Sequence, residues 1–279
     1  MQAIGVFDSG FGGLTVLKSL QEAMPDCDFI YLGDNARAPY GEKSFELVNQ
    51  YTTEAVDWLF SQGCPLVILA CNTASALALR NIQQLHLSQK HGTDKRVLGV
   101  VRPTTEIIGQ YSKTKHIGLL GTPATIESNS YGIEISKFFP EVKLSQEACP
   151  LWVPMIEHGT YSEESSKKVV EENIQTLLKM DANIDTILLA CTHYPILLPI
   201  IEEFVPKHIK VITQGNIVAR SLDDYFNRHL SIKDTISKSG ETKFFTTDVN
   251  TTRFIEKSKP FYPLIEHVEH TNLRLHDSR

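Results

Sequence analysis

The chain reads as an α/β protein built on parallel β-sheet, and three observations carry that reading. Leu66-Val67-Ile68-Leu69-Ala70 is continuously apolar, the pattern of a strand buried on both faces. A similar run, Ile187-Leu188-Leu189-Ala190, returns late in the chain, and each run ends at a cysteine followed by small polar residues. Strand-like runs also alternate with helical spacing along most of the sequence, which parallel strands with helices on both faces require.

The elements follow in order. Ala3–Phe7 is a strand, and Asp8-Ser9-Gly10-Phe11-Gly12-Gly13 is a tight turn into a helix over 14–24, with Leu14, Leu17 and Leu20 on one face. Free N–H groups at that helix start suit an anion. Phe29–Leu32 is a second strand, ending at Gly33-Asp34, with a polar loop through Pro39-Tyr40-Gly41. A helix over 44–62 presents Phe45, Val48, Ala55, Val56 and Leu59. The Cys71 strand follows, then a helix from Ala76 to about Gln89, a polar connection over 86–96, and a strand over 97–101 ended by Arg102-Pro103.

His116-Ile117-Gly118-Leu119-Leu120-Gly121-Thr122-Pro123 echoes the opening strand and turn. Asp8 to Cys71 spans 63 positions and Gly121 to Cys191 spans 70, which suggests a degenerate duplication. Helices are expected over 161–180, from Ile196 and over 217–227. Strands are expected over 209–212, 243–247 and 263–268, with a polar loop over 231–242. Glu157 follows an apolar run. The tail after Asn272 shows no pattern.

A chain of 279 residues makes one large domain or two modest ones. The net charge of −6 argues against a basic nucleic-acid surface. No apolar run reaches the roughly 18–20 residues of a membrane span. The amino terminus enters a strand without a signal-peptide pattern, so a cytoplasmic location is expected. Cys27, Cys64, Cys71, Cys149 and Cys191 are odd in number and show no Cys-x-x-Cys spacing, which disfavours a disulfide framework, a closed zinc site or a thiol redox pair. Cys27, Cys64 and Cys149 read as structural.

Two thiols at matching strand ends suit one chemistry in particular. A carbon acid held between them is epimerised when one thiolate removes a proton and the other thiol returns one to the opposite face. A free thiol ionises near ~8.5, so each needs a partner. Asp8, Asp34, Glu157 and His193 stand at suitable strand ends, although Asp8 also fits a helix cap and Asp34 a turn. Ser9, Asn72, Thr73 and Thr192 are donors able to stabilise charge that develops beside a carboxylate.

Asp8-Ser9-Gly10-x-Gly-Gly, Gly33-Asp34, Pro39-Tyr40-Gly41, Cys71-Asn72-Thr73-Ala74-Ser75 and Cys191-Thr192-His193-Tyr194-Pro195 together resemble the glutamate racemases of the cofactor-independent aspartate/glutamate racemase family, over about 3–254. The resemblance implies two flavodoxin-like domains, 1–98 plus 211–279 and 99–210, with the active site at their interface. It implies Cys71 and Cys191 as the acid/bases, Asp8 assisting Cys71, and His193 with Glu157 assisting Cys191; Asp34 joins this catalytic group. Asp8, Ser9, Pro39, Tyr40, Gly41, Asn72, Thr73, Thr122, Thr192 and His193 would bind the amino acid. It further implies no cofactor or metal, interconversion of L- and D-glutamate for peptidoglycan, no nucleic-acid or membrane partner, and a homodimer. A racemase of aspartate or another acidic amino acid, or an inactive ligand-binding relative, are the alternatives. Arg102, before Pro103, and Thr213-Gln214 depart from the acidic residues of many relatives.

Overall fold

The structure is a computed structural model and describes residues 2–92 and 94–273. Its strands are β1 (Ile4–Asp8), β2 (Phe29–Gly33), β3 (Leu66–Leu69), β4 (Arg96–Gly99), β5 (His116–Gly121), β6 (Lys143–Ala148), β7 (Thr186–Ala190), β8 (Lys210–Ile212), β9 (Thr242–Thr246) and β10 (Glu269–His270). They form a six-stranded sheet, β10-β9-β2-β1-β3-β4, and a four-stranded sheet, β6-β5-β7-β8. The pairings are parallel in both. The order β2-β1-β3-β4 repeats as β6-β5-β7-β8, so the echo between residues 3–10 and 116–123 corresponds to equivalent strands. The cysteine runs are equivalent too: β3 and β7 each lie beside the opening strand of their sheet.

Parallel strands are joined by crossover helices, and these cover both faces. Every residue of β1, β2, β3 and β7 is buried, as their apolar runs anticipate. Helix α1 (Leu14–Ala23) buries Leu14, Val16, Leu17 and Leu20. Helix α2 (Phe45–Ser61) starts at Ser44, whose side chain accepts from the Leu47 N–H, and buries Val48, Ala55, Val56 and Leu59. Phe45 is 44% exposed, because it lies in the first turn, beyond the edge of the buried stripe. One apolar cluster runs from Val6 and Ile68 through Val100 to Leu120 and Leu189 and so spans both sheets.

Several expectations are corrected. Helix α3 (Asn72–Leu77) begins directly after Cys71, four residues before Ala76, because the Cys71 sulfur accepts from the Ala74 N–H and caps it. Residues expected to form a polar connection instead continue the helical run as a π-helix, Ile82–His91, tied to β4 by Gln83 Nε2 donating to Val97 O at 2.7 Å. Arg102-Pro103 lies in a short helix, Val101–Thr105. Leu230–Lys233 is a helical turn that overlaps the start of the expected loop. The closing strand is β10, not 263–268. Strand β6 and the helices Pro123–Glu127, Ser130–Phe138 and Thr251–Ser258 were not legible in the sequence. Apart from Leu273, the tail after Asn272 lies outside the described residues, as does Met1. Among the described residues no helix is long and apolar enough to cross a membrane.

Candidate active site

The carboxyl ends of the two sheets face one cleft, where open α/β sheets hold their ligands. Ser9, Pro39, Tyr40, Gly41, Cys71, Asn72, Thr73, Thr122, Glu157, Cys191, Thr192 and His193 line it. The space amounts to about 510 Å³, open solvent at its mouth included. The cleft thus gathers most of the residues singled out in the sequence, and it receives one cysteine from each sheet.

Cys71 follows β3 and is 5% exposed. Its S–H donates to Ser9 Oγ at 3.5 Å while its sulfur accepts from Ala74 N–H at 3.5 Å. Burial, reinforced by the charge of Asp8, pushes this thiol up to about 12. Cys191 follows β7 and is 7% exposed. Beside it, His193 Nε2 lies 3.0 Å from Glu157 Oε1. Burial opposes an imidazolium here, but hydrogen bonds with Cys191 and Glu157 outweigh it and push His193 up to about 10. Glu157 sits near the end of the helix Trp152–His158, and its carbonyl accepts from Lys257 Nζ at 2.8 Å.

Asp8 ends β1 with no exposure and lies beneath the cleft rather than on its wall. It does not cap α1, whose N-cap is Gly13. Oδ1 accepts from Gly10 N–H at 2.8 Å, and Oδ2 accepts from Thr192 Oγ1 at 3.1 Å. Burial raises its carboxyl above the ordinary value, against the opposing charge of His193 and the hydrogen bonds from Gly10, Gly13 and Thr192. The glycine turn thus directs its Gly10 and Gly13 N–H groups to the chain's own Asp8 carboxylate. It is a close approach: a Cβ on Gly12 would lie 2.3 Å from Thr192 Oγ1 and 2.4 Å from His193 Nδ1.

Asp34 is also set back from the cleft. Its Oδ2 accepts from Tyr40 OH at 2.5 Å and from Arg37 Nε at 2.7 Å, and its Oδ1 accepts from Thr247 Oγ1 at 2.8 Å. With both oxygens engaged and no exposure, it orients Tyr40. Across the cleft, the hydroxyls of Thr73 and Thr122 meet at 3.0 Å, and each also meets Thr125. Asn72 Oδ1 accepts from Tyr131 OH, which in turn accepts from Gln214 Nε2 at 2.7 Å. Asn72 Nδ2 is buried with no partner, a donor left over at the cleft wall.

The sequence did not point to Glu42, Pro123, Cys149, Pro150, Val153 and Pro154, which also line the cleft. Cys149, read as structural, shows no motif that sets it apart from Cys27 or Cys64. Among the described residues, one group of metal-ligand type occurs, Asp57, His86 and His91, and none of the three lines this cleft.

Two similar half-sites, each offering a buried thiol and a polar partner, face one cleft from two sides in this α/β protein. The family model described as Asp/Glu/hydantoin racemase matches residues 4–222. The chain is 34% identical over 270 residues to the glutamate racemase of Streptococcus suis (strain 05ZYH33), covering 97% of this chain and 98% of that one. The crystal structure of a glutamate racemase isoform from Bacillus anthracis superposes with a TM-score of 0.88 at 29% identity, over 99% of each chain. The glutamate racemase of Francisella tularensis in complex with D-glutamate gives 0.85 at 31% identity, over 98% of each chain. The chain belongs to the Asp/Glu/hydantoin racemase family and is a racemase.

Proposed function

We propose that this enzyme interconverts L- and D-glutamate by two-thiol proton transfer at Cα. The observation that carries the proposal is that Cys71 and Cys191, delivered by equivalent strands of separate sheets, line one cleft. The names of its relatives, and the D-glutamate held by the Francisella tularensis enzyme, support glutamate as the substrate.

In this reading Cys191, beside the His193 imidazolium, acts as base toward one enantiomer. Cys71, held as a thiol by burial, supplies the returning proton, and the roles reverse for the other enantiomer. Glu157 keeps His193 charged. Asp8 acts on the Cys71 end directly, its charge favouring the thiol, and on the Cys191 end through Thr192 and His193. Asn72 Nδ2, Ser9, Thr73 and Thr122 are donors for the substrate carboxylates and for charge developing beside Cα. Asp34 positions the Pro39-Tyr40-Gly41 loop rather than transferring protons. Thiols and fixed dipoles supply every step, so no cofactor enters the reaction.

The product D-glutamate would serve peptidoglycan synthesis in the cytoplasm, and the active form would be a homodimer. The two sheets support a division into two domains with a discontinuous first one. A cut after Ile212 keeps β8 whole, whereas one at 210/211 divides it.

The test is polarimetry of the purified protein with L-glutamate, D-glutamate and L-aspartate. Loss of optical rotation with both glutamate enantiomers, and little with aspartate, is the expected result. Faster turnover of aspartate, or none of either amino acid, overturns the assignment.

A further inference from the structure

We propose that Asp57, His86 and His91 form a binding site for one divalent transition-metal ion, separate from the cleft. Asp57 lies on α2 and is 7% exposed. His86 Nε2 and His91 Nε2 lie 2.6 and 2.5 Å from the same oxygen, Asp57 Oδ1. The three donor atoms all lie within 4.8 Å of one another.

The convergence depends on the π-helix. Its wider turn brings residues five apart onto one face, so the rings of His86 and His91 stand 5.4 Å apart over α2. Phe60 packs edge-on against His91 at 4.7 Å between ring centres. Lys90 Nζ donates to the other carboxylate oxygen, Oδ2, at 2.6 Å. That contact leaves Oδ1 as the ligand atom and fixes the plane of the carboxylate, as hydrogen bonds around metal ligands do.

Two imidazoles and one carboxylate suit Zn²⁺, Cu²⁺ or Ni²⁺ rather than Mg²⁺ or Ca²⁺. A tetrahedral Zn²⁺ with bonds of about 2.0–2.1 Å holds its ligand atoms roughly 3.3 Å apart. Each imidazole must therefore retreat from Asp57 by less than about 1 Å. Side-chain rotation provides this, since His86 is 23% and His91 16% exposed. A water completes the fourth position. The helical run that starts at the Cys71 cap ends at this cluster, so the ion pins its far end to α2.

The experiment titrates Zn²⁺ into untagged, reduced, chelator-treated protein at pH 7.5 against a chromophoric competitor. Thiols also take Zn²⁺, so the reading is the difference from His86→Ala and His91→Ala. One equivalent lost, or weakened roughly 10-fold or more, in both variants is expected. Identical titrations in all three proteins mean an ion-pair network only and overturn the site. A measurement on the unaltered chain runs beside it. Histidine acylation by diethyl pyrocarbonate, mapped by peptide mass spectrometry, is expected to fall at His86 and His91 when Zn²⁺ is present. Equal labelling with and without Zn²⁺ overturns the proposal.

Discussion

Thr192 Oγ1 donates to Asp8 Oδ2 at 3.1 Å, joining residues 184 positions apart and linking the ends of β7 and β1. The bond is charge-assisted and shielded from water, so it holds the two sheets in one register around the cleft. Thr192→Val removes the hydroxyl and keeps the volume. A hydrogen bond to a charged group contributes about 1.5–3 kcal/mol, so kcat/KM should fall roughly 10- to 100-fold. Steady-state kinetics measure this, and a double-mutant cycle with Asp8→Asn should show coupling rather than additivity.

Gly12 sets the approach of the glycine turn to the second half-site. An added Cβ meets Thr192 Oγ1 at 2.3 Å and His193 Nδ1 at 2.4 Å. Gly12→Ala should therefore displace His193 and lower kcat on the order of 100-fold, as misplacement near 1 Å does. Circular dichroism spectra should retain the wild-type secondary structure, because the clash involves side chains after β7 and not the α1 backbone.

His193 links the site to stability. Its pKa is pushed up to about 10 in the folded protein, against roughly 6.5 unfolded. Between those values the folded state binds more protons, so stability falls as pH rises. The contribution is complete below about 6.5 and lost as pH passes about 10. Burial of the Cys71 thiol acts in the same direction, but only above its unfolded value near ~8.5. Denaturant melts between pH 6.5 and 8 isolate the histidine. Wild type should lose stability across this window, and His193→Asn should show a flatter dependence.

Asp34 provides a contrast with the thiols. It lies behind Tyr40, so Asp34→Asn should raise KM and reduce stability while Cα–H exchange persists. The loss in kcat should stay below the roughly 10²–10⁴ that removal of a general acid or base costs. Tyr40→Phe should show the same pattern in weaker form, since Asp34 keeps Arg37 and Thr247 as partners.

The sequence made the centre of each sheet legible and its margins less so. Strands β3 and β7 are buried on both faces, so their apolar runs are continuous. Strand β6, Lys-Leu-Ser-Gln-Glu-Ala, lies at an edge with no fully buried residue, and no pattern marks it. The α3 start is not marked by the usual cap residue, because a sulfur caps it where an oxygen is usual. The thiols, His193 and the hydroxyl residues were legible from matching strand ends. The pairing of Asp8 with Thr192, the retreat of Asp34 behind Tyr40, and the cleft walls at Glu42 and Val153 arise from how the two sheets face each other. Local pattern does not encode that. The convergence of His86 and His91 was equally hidden, because their spacing of five shares a face on a π-helix but not on an α-helix.

The proposed reaction is proton transfer by two thiols from opposite faces of Cα. It is tested most directly by incubating each glutamate enantiomer with enzyme in deuterated water and following Cα by mass spectrometry at low conversion. One deuterium is expected in the product and almost none in the remaining substrate. Racemisation is expected to be abolished in both Cys71→Ala and Cys191→Ala. Product that retains the substrate's own Cα hydrogen, or either variant racemising at the wild-type rate, would contradict it.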